Sequence, residues 1–176
     1  MWLDRVREEY GDRLQITWKS FSLEQVNNRE GADYVVWEQE DIAGPRSLLA
    51  LVVGEAARGQ DNAAFERFHL ALLTARHGGK GRIALNDLDA ILDIAGEAGL
   101  DIDVLKRAVS DPATVAQVGR DHTEAVEQHG VFGTPTFVFD RRYSASGAQP
   151  ADVLIRYFKA TIQHDTTTEA KHGEVS

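Results

Sequence analysis

Residues 130–139 read GVFGTPTFVF, with Pro135 placed directly ahead of the apolar run Thr136-Phe137-Val138-Phe139. A proline has no N–H to give a sheet, so this one marks a strand start, an edge or a special turn. It also admits a cis peptide, since X-Pro bonds are the common home of that isomer, although the dipeptide by itself fits an ordinary trans turn. Consecutive apolar residues from 136 to 139 predict a strand covered on both faces. Tyr143 to Ala145 then form its antiparallel partner after a turn at Asp140-Arg141-Arg142.

Outward from this hairpin the chain is mostly helical. Pro150 opens a last helix carrying Val153, Leu154, Ile155 and Phe158, and the polar tail from about 162 is expected to be disordered. Upstream, Asp111-Pro112 is a cap followed by a first-turn proline, opening a helix with Val115, Val118, His122, Ala125 and Val126 in phase until Gly130. Asp101 starts a short helix through Ile102, Leu105 and Val109. Asn86 starts another, with Leu85, Leu88, Ile91, Leu92 and Ala95 as its apolar set, stopping near Gly99. Asp61 or Asn62 caps a helix with Phe65, Phe68, His69, Leu72 and Leu73 in phase, ended by Gly78-Gly79. Pro45 suits a first helical position ahead of the stripe Leu48, Leu49, Val52, Val53 and Ala56, which Gly59 ends. Residues 31–43 read as a short helix or turn. In residues 14–18, LQITW, Leu14, Ile16 and Trp18 alternate with polar residues, which predicts an edge strand. Residues 1–10 place Trp2, Val6 and Tyr10 on one face of a helix that Gly11 stops.

Composition narrows the function classes. The 176 residues suit one medium domain or a domain with an insertion, and 43% hydrophobic with 27% charged residues is ordinary for a globular protein. Nineteen Lys and Arg against 28 Asp and Glu give a net charge of −9, which argues against a nucleic-acid partner. No run approaches the roughly 18 apolar residues of a membrane span, and the first residues lack the apolar centre of a signal peptide, so no membrane partner and a cytoplasmic location are expected. The chain has no cysteine, which removes disulfides, thiolate metal sites and any cysteine nucleophile of its own.

The GVFGTPTFVF run, the Gly147 to Pro150 stretch GAQP before the final helix, ITWKSFSL after the first helix, and the helical middle together resemble the DsbA family, most closely its cytoplasmic FrnE-type branch. The resemblance extends from Met1 to about Ala160. It implies an α/β, thioredoxin-like fold with a large all-helical insertion: residues 1–30 and 110–161 as the thioredoxin-like portion, 31–109 as the insertion and 162–176 as the disordered tail. It further implies a cis Thr134-Pro135 bond and a substrate platform of Phe132, Gly133, Thr134 and Pro135. There the Thr134 backbone would take an extended peptide, or a small thiol such as glutathione, by strand addition.

Members of that family carry a Cys-x-x-Cys motif at the N-terminus of the first helix, where the helix dipole and free N–H groups favour the thiolate. Here Met1-Trp2 already falls inside that helix, so the first strand and the motif are missing from the chain as given. In the family that strand lies between the LQITW and TFVF strands, and unsatisfied buried backbone groups cost about 1–3 kcal/mol each. The reading favours a segment upstream of Met1. Closure of the gap by rearrangement or by a second copy in a homodimer, and a paralogue with a smaller sheet, stay open. By resemblance the function is thiol–disulfide oxidoreduction with no catalytic residue in this chain. The alternatives are a glutathione-dependent isomerase or transferase of the same fold and a non-catalytic peptide-binding or dimerising module.

Other candidate chemistry is weaker. His69 and His77 are eight apart across a helix end, and His122 and His129 are seven apart on one helix, so no metal site is expected. His122 reads as a half-buried face residue and His129 as a cation near a helix C-terminus. Asp87, Asp89 and Asp93 read as a capping and solvated set. Gly78-Gly79-Lys80-Gly81 lacks the preceding strand and the following Ser or Thr of a phosphate loop, and Ser20 and Ser22 read as structural.

Overall fold

A computed structural model describes residues 2–11, 14–79 and 82–173, with side chains described between 5 and 162. The chain divides into two compact units, Met1–Trp18 with Val126–Ser176, and Lys19–Ala125.

The Lys19–Ala125 unit is helical, with no strand among its described residues. Its helices begin where a side-chain oxygen can take an otherwise orphaned N–H. Ser22 caps α2 (Leu23–Val26), Asp61 caps α4 (Asn62–His77), Asp87 caps α5 (Leu88–Glu97) and Asp101 caps α6 (Ile102–Val109), each accepting from the N–H three residues on. The cap of α5 is thus Asp87 and not Asn86. Between α2 and α3 (Leu48–Arg58), residues 31–43 hold turns and a 3-10 turn, Val36–Glu38.

Pro45 does not open α3. It follows a tight turn in which Asp41 accepts from the N–H groups of Ala43 (2.9 Å, through its side chain) and Gly44 (3.2 Å, through its carbonyl), and the helix begins at Leu48. Leu48, Leu49, Val52, Val53 and Ala57 of α3 are buried, and α3 packs on α4, α5 and α6. It is the central helix of this core. Helix α7 (Pro112–His129) begins in this unit, and the division falls within it after Ala125.

The other unit contains α1 (Trp2–Tyr10), the end of α7, β1 (Thr136–Phe139), β2 (Tyr143–Ser146) and α8 (Ala151–Gly173). The side chain of Trp2 lies outside the described residues. Val6 is buried, the Tyr10 ring meets Phe158 edge-on at 4.8 Å, and Lys159 pairs with Glu9 at 3.1 Å, so α1 and α8 are held by one apolar stripe and a surface ion pair. The strands pair antiparallel, Thr136 with Ser146 and Phe139 with Tyr143 at the ends. Asp140 (φ 49°) and Arg141 (φ 55°) make the hairpin turn that matches the right-handed twist of strands, closed by the Arg142 N–H on the Phe139 carbonyl at 3.0 Å. Phe139, Ala145 and Leu154 form the core here, with Phe137 and Phe158 packed on it.

Three features differ from expectation. Residues 14–18 join no sheet among the described residues, although their exposure alternates as a strand's would. Periodicity specifies which side chains turn inward, whereas a strand also needs a neighbour for its backbone. β1 is not covered on both faces: Phe139 is buried but Val138 is 38% exposed. Helix α8 runs on to Gly173, past the point where the tail was expected to lose order.

Candidate functional site: the open edge of the hairpin

Gly130, at φ 61°, ends α7 with its N–H on the Val126 carbonyl at 3.1 Å, a left-handed conformation suited to glycine. The next five residues alternate sharply between core and solvent. Val131 is buried, Phe132 is 73% exposed, Gly133 is half-buried, and Thr134 and Pro135 are exposed. The Thr134–Pro135 peptide is cis.

One side of this loop is tied down. The Thr136 hydroxyl donates to the Gly133 carbonyl at 2.7 Å and lies 3.2 Å from the Ser146 hydroxyl, while the Gly147 N–H reaches the Pro135 carbonyl at 2.8 Å. That last bond sets the phase of the ladder. In an antiparallel pair, alternate residues point their N–H and C=O to the same side, so Pro135, Phe137 and Phe139 face β2. The backbone groups of Thr136 and Val138 therefore face outward; Thr134 lies across the cis bond, beyond this alternation, and the backbone groups of all three have no partner among the described residues. The four residues expected to form a platform are thus consecutive at one end of an open strand edge. Sequence reasoning placed Thr134 there but missed that Thr136 and Val138 extend the same row.

A second polar cluster lies within the Lys19–Ala125 unit and was not foreseen. Asp121, fully buried on α7, accepts from the Ser20 N–H (3.0 Å), Lys19 Nζ (3.0 Å), Gln117 Nε2 (2.8 Å) and the Arg58 guanidinium (3.2 Å). Burial pushes the Asp121 carboxyl up, but the Ser20 N–H, Lys19, Gln117 and the Arg58 charge outweigh it and hold the group below the usual range. Buried Glu55 contacts both the Ser20 hydroxyl and Arg58, and burial raises its pKa. Lys19 also bonds Glu124 at 3.0 Å. Every charge in this cluster is answered by another, which makes it a brace and not a reaction centre. Ser20 is structural in it, Ser22 caps α2 apart from it, and His122 is buried, not half-buried.

No group of His, Cys, Asp and Glu among the described residues could hold a metal ion. Gly78 ends α4, and Lys80 and Gly81 lie outside the described residues. No helix among the described residues is long and apolar enough to cross a membrane.

Residues 2–159 match the DSBA-like thioredoxin domain, and the chain belongs to that family. The fold is thioredoxin-like with a helical insertion, consistent with the helices and the small two-stranded sheet among the described residues. Among solved structures it is similar to a probable DsbA oxidoreductase from Streptomyces coelicolor, with 34% identity over 66% of this chain and a TM-score of 0.48. The chain spans 48% of that protein's length. No curated protein matches it.

Proposed function

We propose that this chain is a cytoplasmic, FrnE-type member of the DsbA-like thiol–disulfide oxidoreductases, and that the outer edge of β1, the edge on which the family's first strand would lie, here takes extended polypeptide instead. The observation that carries this reading is the row of N–H and C=O groups at Thr134, Thr136 and Val138, without partners among the described residues, beside the solvent-facing ring of Phe132. An extended peptide meets such a row with its own N–H and C=O groups in the same two-residue period. Phe132 supplies apolar area to a bound side chain. Family membership supports the reaction class.

The chain by itself supplies no thiol. Exchange needs a thiolate to attack a disulfide and a second thiol to resolve the mixed disulfide, and there is no cysteine here. In an insulin-reduction assay the purified chain should match a mock purification. Turnover above that background would redirect the reading to a bound small thiol such as glutathione.

Docking is testable separately. Reduced, alkylated insulin B chain, titrated against the intact protein by fluorescence anisotropy, should bind. Thr134→Pro removes one donor from the row, and one hydrogen bond is worth about 0.5–1.5 kcal/mol, so affinity should fall roughly 2- to 12-fold. Equal affinity for the variant and the parent chain would contradict this mode of binding.

A further inference from the structure

We infer that His122 is a proton-operated latch: its neutral imidazole holds residues 21–38 on α7, and its protonated form releases them. The Ser22 backbone N–H donates to His122 Nδ1 at 3.2 Å. A bond in that direction requires a lone pair on Nδ1, so the ring is neutral at that nitrogen. Protonation would put an N–H where the acceptor was and set two donors facing each other.

Ser22 is more than one anchored residue. Its hydroxyl caps α2 through the Gln25 N–H at 3.1 Å, and the Gln25 amide binds the Val36 N–H at 2.8 Å and the Tyr34 carbonyl at 3.1 Å. The segment is thereby tied end to end. Its far end returns to the same histidine: the Trp37 ring lies 5.0 Å from His122, and Phe21 lies 4.7 Å from it. A Cβ at Gly119 would meet the Trp37 indole nitrogen at 2.7 Å, so α7 is shaped to receive that ring.

The surrounding charges leave the imidazole without a counter-ion. Lys19 just ahead of the latched segment, Glu55 and Arg58 on α3, and Asp121 and Glu124 on α7 are engaged with one another. Glu38 on the 3-10 turn is exposed. Glu24 on α2 is half-buried, and its buried Oε2 has no hydrogen-bond partner. No carboxylate contacts His122 among the described residues. Burial therefore acts alone and lowers its pKa from 6.5. The Phe21 and Trp37 faces would attract an imidazolium, but they offer nothing to accept from a protonated Nδ1.

Nuclear magnetic resonance on the intact chain, from about pH 7.5 to about pH 5, covers the range in which histidine changes charge. The His122 ring nitrogens, the Ser22 amide and the Trp37 indole N–H should move together with one midpoint below 6.5. His122→Asn, whose side-chain oxygen can still accept from Ser22 but does not titrate, should retain the neutral-pH signals and show no such transition. Three results would each overturn the latch. They are His122 titrating while the Ser22 amide stays still, His122 remaining neutral throughout, and simultaneous loss of Ile91 signals in α5, which would mean general acid unfolding.

Discussion

The two units treat their polar groups in opposite ways. In Lys19–Ala125, a buried carboxylate collects four different donors and each neighbouring charge has its opposite. In the hairpin unit, one strand edge leaves three residues' backbone groups without partners among the described residues, beside an aromatic ring that is 73% exposed. The first arrangement removes the cost of burying charge. The second keeps unpaired groups in solvent, where water satisfies them until a partner arrives. Where a chain leaves bonding capacity unspent at its surface is where binding is to be sought.

The largest expected effect tests the sealed region. Asp121→Ala removes at once the acceptor of the buried Ser20 N–H, Lys19, Gln117 and Arg58, and at about 0.5–1.5 kcal/mol for each bond the loss is about 2–6 kcal/mol. Urea unfolding should show a lower midpoint, and a loss under about 1 kcal/mol would mean that the network is looser than its distances indicate.

Leu154→Ala tests whether the hairpin unit has a core of its own. Leu154 is 1% exposed and packed with Phe139 and Ala145, so truncation should cost about 2–5 kcal/mol. Amide exchange should rise in β1 and β2. If exchange rises only within Lys19–Ala125, the division of the core described above is wrong.

The pH dependence is the subtlest of these effects, and its sign differs among the buried groups. His122 has a folded pKa below its unfolded value, so its contribution is intact above pH 6.5 and declines as pH falls toward the folded value. Asp121, also depressed, adds a second loss as pH falls below 3.8. Glu55 is raised and acts against them: folding binds its proton more readily, so stability gains as pH falls through the raised value toward 4.5. Stability should therefore decline first below pH 6.5 and flatten before the final acid loss. A uniform decline with no flattening would show that Glu55 does not titrate separately.

Much of the fold was legible because its signals are local. Asp61 and Asp101 announce helix starts, Gly59 and Gly78 announce ends, and GTPTFVF followed by Asp140-Arg141-Arg142 announces the hairpin. What escaped was the part that depends on partners. Leu14, Ile16 and Trp18 have a strand's alternation, but no local pattern shows whether a neighbouring strand is there to pair with. Asp121 meets Ser20 across 101 positions of sequence, a pairing no periodicity reveals. One signal was available: Glu55 stands in the apolar stripe of α3, and a carboxylate in that position needs partners.

The docking edge is tested most directly by amide chemical shifts as reduced, alkylated insulin B chain is added to the intact protein. Strand addition predicts the largest changes at Thr136 and Val138, whose N–H groups face outward, and at Thr134, whose N–H has no partner among the described residues, with Phe137 and Phe139 moving far less because theirs face β2. Equal changes along the whole of β1, or changes confined to the Lys19–Ala125 helices, would contradict it.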